Sequence, residues 1–334
     1  MASAKMHIAI RGAGVVGLWQ ALTLARAGHR VTLYERSATP FADACSPFAG
    51  AMLGPRCEEE SAEPVIRALG ERSIALWLET YPGIKANGTL IVAAARDRVL
   101  IDRFARMTQG AERLDQAMLA ELEPDLGKRF PDGLYYPGEA HLAPDAALAF
   151  LLEAAQAAGA ELKLGEAGLP QGADLVIDCR GLAAKDDLPT LRGVRGERII
   201  VRSREVHLTR PVRLLHPRFP LYVVPWGHGL YMIGATVIES EETGPVSVRS
   251  ALDLLSAAYA LDPAFAEAEI MRQGAGARPA FPDNRPRIIT AKGYIYVNGL
   301  YRHGFLLAPA LAELVAAYIE TGARHEEVFV ANPA

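Results

Sequence analysis

The sequence predicts an α/β chain in which a parallel-sheet lobe is interleaved with a second lobe built on a mixed, largely antiparallel sheet. Three observations predict it. A β-α-β unit fills the first thirty-six residues, the middle third is rich in short strands joined by tight turns, and a last strand, 293–299, runs into an almost wholly apolar helix. No repeat and no low-complexity linker separates these regions, so the chain is expected to cross between its lobes several times.

The elements follow in order. "MHIAI" (6–10) is a short buried strand, "VVGLWQALTLARAGH" (15–29) has helical apolar spacing and ends on Gly28, and "RVTLYER" (30–36) is the second strand. Two strands with an intervening helix in so few residues form the right-handed unit of a parallel sheet. Helical spacing is read at 61–81, 97–107, 114–126 and 144–160, and strands at 87–95 and 173–181. "VRGERIIVRS" (194–203), "LYVVP" (221–225) and "LYMIGAT" (230–236) run apolar or alternate, with "WGHG" turning between the last two.

Composition narrows the class. The chain has 334 residues, enough for two lobes with real cores, and half of them are hydrophobic. A formal net charge of −4 gives no basic footprint for nucleic acid. Cys45, Cys57 and Cys179 are too few and too irregular for a disulfide framework or a cysteine zinc site, and the histidines show no metal spacing, so no metal is expected. Arg11 interrupts the first apolar run, which argues against a signal peptide, and no run of about twenty uncharged apolar residues suggests a membrane span. A reducing, cytoplasmic setting is the expectation.

Gly12, Gly14 and Gly17 in "RGAGVVG" give GxGxxG, after a strand and at the start of a helix, with Glu35 closing the next strand. That context marks a dinucleotide loop. Gly12 allows the tight turn, Gly14 lets a pyrophosphate approach, and Gly17 lets the helix pack on the sheet, while the helix N-terminus, at Val15 and Val16, favours the anion. Glu35, with Arg36 beside it, would meet the adenosine ribose. The motif does not separate NAD from FAD.

"AIRGAGVVGLWQALTLARAGHRVTLYER", "SPFAGAMLGPRCE", "GTLIVA", "DLVIDCRGLAA", "VRGE", "LYVVPWGHGLYMIGAT", "GARPAFPDNRP" and "YVNGLYRHGFLLAPALAELV" together resemble, in this order, the FAD-dependent D-amino-acid oxidase superfamily, above all the glycine oxidases of thiamine biosynthesis. The resemblance implies a glutathione-reductase-type FAD-binding domain over 1–84, 140–193 and 285–334. It implies a substrate domain over 85–139 and 194–284. It further implies oxidation of glycine or small amines and D-amino acids by hydride transfer to flavin N5. Reoxidation by O₂ would give peroxide, an oxo acid and ammonia. A broader D-amino-acid oxidase, a dehydrogenase, or a flavoprotein subunit without turnover are the alternatives.

The resemblance also assigns residues. Arg278 and Tyr222 would grip the substrate carboxylate, with Arg302 nearby. Ala49, Gly50 and Met52 would lie along the flavin, Gly181 over the phosphate side, and Gly304, Phe305, Leu306 and Leu307 would turn backbone groups to the ring. FAD is expected to be non-covalent, since no cysteine stands near the last helix. His303 is expected to pack or donate a hydrogen bond and not to act as a base, because hydride transfer from a neutral amine needs none at carbon. A small amino acid and O₂ are the expected reactants, and a homo-oligomer the expected assembly.

Overall fold

A computed structural model describes residues 5–167, 172–217 and 221–331. The chain begins with β1 (His7–Arg11), α1 (Val15–Arg26) and β2 (Arg30–Glu35). β1 and β2 pair in parallel from His7–Arg30 to Arg11–Tyr34. Gly28 closes α1 at φ +88°, the left-handed conformation expected of a helix-ending glycine.

A one-turn helix at Ser46–Phe48 leads to β3 (Met52–Leu53), and a second at Cys57–Glu60 leads to α2 (Pro64–Thr80). Then come β4 (Thr89–Ala93), α3 (Arg98–Met107), β5 (Glu112–Asp115), α4 (Gln116–Leu122), α5 (Pro124–Gly127) and β6 (Asp132–Tyr136). The helix expected over 114–126 is thus divided. Leu114 belongs to β5, and Glu123, which precedes Pro124, is pushed into the extended region (φ −144°, ψ 93°).

The chain continues through β7 (Ala140–His141), α6 (Pro144–Ala157), β8 (Glu161–Leu164), β9 (Leu175–Asp178), β10 (Arg192–Arg202), β11 (Val212–Leu215), β12 (Leu221–Gly227), β13 (Leu230–Gly234) and β14 (Ile238–Glu239). β12 and β13 form the expected hairpin, turning on His228 (φ +53°) and Gly229 (φ +71°). Last come α7 (Val248–Leu261), β15 (Glu269–Ala280), β16 (Arg287–Ala291), β17 (Tyr294–Asn298), α8 (Gly304–Thr321) and β18 (Phe329–Ala331).

Two large sheets organise these elements. One runs β18-β16-β17-β9-β1-β2-β8, with β1 parallel to both β2 and β9, so the glycine loop leaves the sheet between two parallel neighbours. The other runs β14-β10-β13-β12-β11-β4-β6-β5, with β15 paired along β10. Helices α1, α2, α6 and α8 share one apolar core with the first sheet, and α7 closes a second core under the other.

Among the described residues α8 meets, by length and hydropathy, the measure for a membrane-crossing helix, although Glu313 and Glu320 keep it from being an uncharged apolar run. Here it lies against α1 and α2, with Phe305, Leu306, Leu307 and Leu311 buried and Glu313 paired with Arg72. Its interior Pro309 has no N–H for the carbonyl of Phe305. Trp77 Nε1 on α2 donates there instead, at 2.8 Å, and Ser73 Oγ accepts from Ala310 N at 3.1 Å. Trp77→Phe keeps an aromatic ring but removes the N–H and part of a fully buried side chain, so it should cost at least about 2 kcal/mol. Urea unfolding of the holoprotein measures it, and a loss below about 0.5 kcal/mol would mean the indole bond contributes nothing net.

Candidate active site

The glycine loop is built by contact. Gly12 stands at φ +95°, and a Cβ there would lie 2.8 Å from the carbonyl oxygen of Cys179. A Cβ on Gly17 would lie 1.9 Å from the carbonyl oxygen of Gly12. Both contacts are with backbone, so neither can be relieved by a rotating side chain. At the start of α1, Val15 N donates to Ser46 Oγ at 3.1 Å. The N–H groups of Gly14, Val16 and Gly17 have no acceptor among the described residues.

Glu35 is buried and serves the loop first. Its carboxylate accepts from Ala13 N at 2.9 Å and from Ser37 N at 3.1 Å, which holds the loop to the end of β2. Arg36 points outward and pairs with Asp43 at 3.2 Å. Across the loop, Gly181 (φ +60°) is fixed by Asn298, whose Nδ2 donates to its carbonyl at 2.8 Å. Burial pushes the Cys179 thiol well up, which fits a packed residue and no nucleophile.

α8 supplies a second set of donors. Leu307 N donates to the carbonyl of His303 at 2.8 Å, so of the four expected positions it does not offer its N–H. Those of Gly304, Phe305 and Leu306 have no acceptor among the described residues. The two helix starts are neighbours: a Cβ on Gly304 would lie 3.6 Å from Val15 Cγ1. The turn after Ser46 brings a third set, the N–H groups of Gly50 and Ala51, likewise without acceptors. Three groups of unused backbone donors therefore converge around the starts of α1 and α8.

The second sheet faces this junction. Directly opposed residues of antiparallel strands share a face. The pairs Val194–Arg278, Gly196–Gly276 and Arg198–Gly274 across β10 and β15 continue to Gly234 on β13 and Tyr222 on β12. Arg278, Arg198 and Tyr222 thus stand on one face with a glycine floor between them. Phe48 lies over that floor, and a Cβ on Gly50 would come within 2.9 Å of the Tyr222 ring. Arg278 is half-buried. Nη1 donates to the carbonyl of Thr236 at 3.1 Å, and no carboxylate pairs with it among the described residues. It belongs to a twelve-residue strand, which the sequence reading did not find.

Arg302 has a partner that sequence reasoning missed. Its guanidinium is ion-paired to Glu58, on the Cys57–Glu60 turn. Burial would raise Glu58, but Arg302, with His303 and Arg213 behind it, outweighs burial and holds the carboxyl down at about 2. Glu58 in turn raises Arg302 further. The cation at the mouth of α8 is therefore already neutralised by the protein. His303 is buried, with a ring nitrogen 3.9 Å from Glu58, and burial pulls its pKa down to about 4, so it is neutral at pH 7. Met52 packs with Cys57, Ile101 and Phe104, the place of a core residue.

These features fit a dinucleotide flavin. One helix start with spare donors suits a pyrophosphate, and a second, beside it, suits the negative end of a reduced ring. The comparisons agree. The family model described as FAD dependent oxidoreductase matches residues 7–318. The thiamine biosynthesis oxidoreductase ThiO of Rhizobium etli is 51% identical over 318 residues, covering 95% of this chain and 97% of that one. The glycine oxidase of Geobacillus kaustophilus is 29% identical over 374 residues, with 98% and 96% covered. A crystal structure of glycine oxidase from Geobacillus kaustophilus superposes with a TM-score of 0.81 at 25% identity, over 94% of this chain and 95% of that one. With three backbone donor sets poised at one junction and a family model spanning nearly its whole length, the chain belongs to the D-amino-acid-oxidase (DAO) family of FAD-dependent oxidoreductases, and it is a FAD enzyme.

Proposed function

We propose that the enzyme oxidises glycine and small amines or D-amino acids to the oxo acid and ammonia, with O₂ as acceptor and peroxide as product. The role is a supply step of thiamine biosynthesis in the cytoplasm. Residues 1–84, 140–193 and 285–334 form its cofactor domain, and 85–139 with 194–284 its substrate domain. The observation that carries this is Arg278, a guanidinium free of any carboxylate among the described residues and set on the same face as Tyr222. The 51% identity to a ThiO and the likeness to glycine oxidases support it.

A substrate with little side chain is held by its carboxylate, and the planar fork of Arg278 matches that group in two parallel bonds. Tyr222 adds a phenolic donor. Arg302, already paired with Glu58, lies alongside as part of a neutral pair. FAD, bound without a covalent link, supplies the acceptor for the substrate's α-hydrogen and its electron pair. The free N–H groups at the start of α8 favour negative charge on the reduced ring, by about 1 kcal/mol or somewhat more when buried. Neutral His303 takes no proton from carbon. Gly14, Val16 and Gly17 hold the pyrophosphate while Val15 N stays tied to Ser46, Glu35 and Arg36 stand by the adenosine ribose, and Gly181 closes the phosphate side. Ala49 and Gly50 flank the flavin, while Met52 packs in the core beside Cys57.

The test is a substrate panel on purified yellow protein, with peroxide detection. Glycine, sarcosine or small D-amino acids should bleach the flavin anaerobically, and air should restore it with peroxide formed. Acid precipitation should leave the flavin in the supernatant, and sedimentation should show a homo-oligomer. Bleaching by L-alanine as fast as by D-alanine would overturn the assignment of the reacting face. Bleaching without peroxide on reoxidation would make the enzyme a dehydrogenase.

A further inference from the structure

Arg198, on β10, is 3% exposed, and no carboxylate pairs with it among the described residues. Its Nη1 donates to the carbonyl of Ala49 at 3.0 Å, and its guanidinium lies 5.1 Å from the Trp226 ring and 5.7 Å from the Phe48 ring. Trp226 Nε1 donates to the next carbonyl, that of Gly50, at 3.4 Å. Two consecutive carbonyls of one turn are thus held by side chains of the substrate sheet. The turn needs holding: Ala51 sits at φ +52°, a left-handed conformation that costs an alanine of order 1 kcal/mol or more. With the carbonyls of 49 and 50 turned to the sheet, the N–H groups of Gly50 and Ala51 are left without acceptors.

Tethering a loop does not require a buried cation. A neutral amide would donate to Ala49 without the desolvation cost of a charge, and burial already pulls Arg198 down to about 10. A charge kept under such conditions points to an electrostatic role beside the hydrogen bond. We infer that Arg198 is a positioning residue for the flavin: from the substrate sheet it fixes the Ala49–Met52 turn so that the N–H groups of Gly50 and Ala51 face the ring, and its charge favours the reduced ring. One side chain of the second sheet thereby tethers the turn that leads into β3. This rests on the proposed reading that the 49–52 turn flanks the flavin, so the experiment includes a variant that tests the turn by itself.

Four holoenzyme variants decide the matter by midpoint potential, visible flavin spectrum and thermal stability: Arg198→Met, Arg198→Gln, Arg198→Lys and Gly50→Ala. Arg198→Met should weaken the preference for reduced over oxidised flavin about tenfold, a fall of about 30 mV for a two-electron couple. It should lower kcat more than it raises KM, because Arg278 and Tyr222 are untouched. Arg198→Lys, which keeps charge and donor, should recover most of the potential. Arg198→Gln, which keeps only a donor, should not, and it decides the question if the methionine variant fails to fold. A fall in thermal stability with potential and spectrum unchanged would make Arg198 a packing residue and overturn the inference. The Cβ of Gly50→Ala would lie 2.2 Å from Met232 Cε and 2.9 Å from the Tyr222 ring, so these side chains or the turn itself must shift. If Gly50→Ala alters the flavin spectrum and Arg198→Met does not, the turn faces the flavin but Arg198 does not position it. If neither variant does, the turn does not face the flavin, and the inference falls with that reading.

Discussion

Arg278→Ala is expected to lower kcat/KM on the best substrate by about 3 kcal/mol or more, beyond a hundredfold, with flavin content nearly unchanged. A charged bidentate contact is lost, and the carboxylate it served is left unpaired in a water-poor site. Arg278→Lys should recover little, for a geometric reason. The guanidinium lies flat over Gly196, where a Cβ would come within 1.9 Å of Nη2, and its other nitrogen is fixed by the Thr236 carbonyl at 3.1 Å. An ammonium cannot span these points. Gly196→Ala offers a second route to the same result, because it displaces the fork without removing its charge. Arg302→Ala should behave differently. It strips Glu58 of its main counter-charge beside the start of α8, so turnover and flavin binding should both suffer. Steady-state kinetics beside the flavin-to-protein absorbance ratio separates the cases. Normal kcat/KM in Arg278→Ala would make this arginine a solvated residue and end the clamp assignment.

What the sequence displayed and what it hid divide along a physical line. The glycine loop with Glu35, the apolar α8 and the β12-β13 hairpin were readable because each is specified by neighbours within about thirty residues. β15 was not. Its glycines 274 and 276 remove the alternating apolar signal, yet they are what lets Phe48 lie on the sheet. Glu58 as partner of Arg302 lies 244 residues away in the chain, and Trp77 as donor to Phe305 lies 228 away. No local pattern encodes such pairs. Arg198 looked like one more charge in an alternating strand, and its burial follows only from the turn that the other lobe lays over it. Pro309 was visible, but its consequence, a carbonyl needing a donor from α2, required the packing of α8.

Gly17→Ala should abolish FAD retention while Gly14→Ala should weaken it for a different reason, and the contrast tests what each glycine does. A Cβ at 17 meets the Gly12 carbonyl oxygen at 1.9 Å, backbone against backbone, so α1 must move off the loop. Such overpacking costs about 1–3 kcal/mol of stability, and it also scatters the spare donors of Gly14, Val16 and Gly17. The apoprotein should therefore be less stable, and the holoprotein should lose its colour on desalting. A Cβ at 14 meets only Ser46 Oγ, at 3.2 Å, which needs to give by about a few tenths of an ångström while still accepting from Val15 N. Apoprotein stability should then stay within about 0.5 kcal/mol of wild type, the range of a tolerated substitution. FAD affinity should still fall at least tenfold, since the added methyl stands where the pyrophosphate approaches the backbone. Thermal melts of the two apoproteins, with FAD titrations by flavin fluorescence, give both quantities. Full FAD affinity in Gly14→Ala would place the pyrophosphate elsewhere and remove the central support for the glycine loop as its cradle.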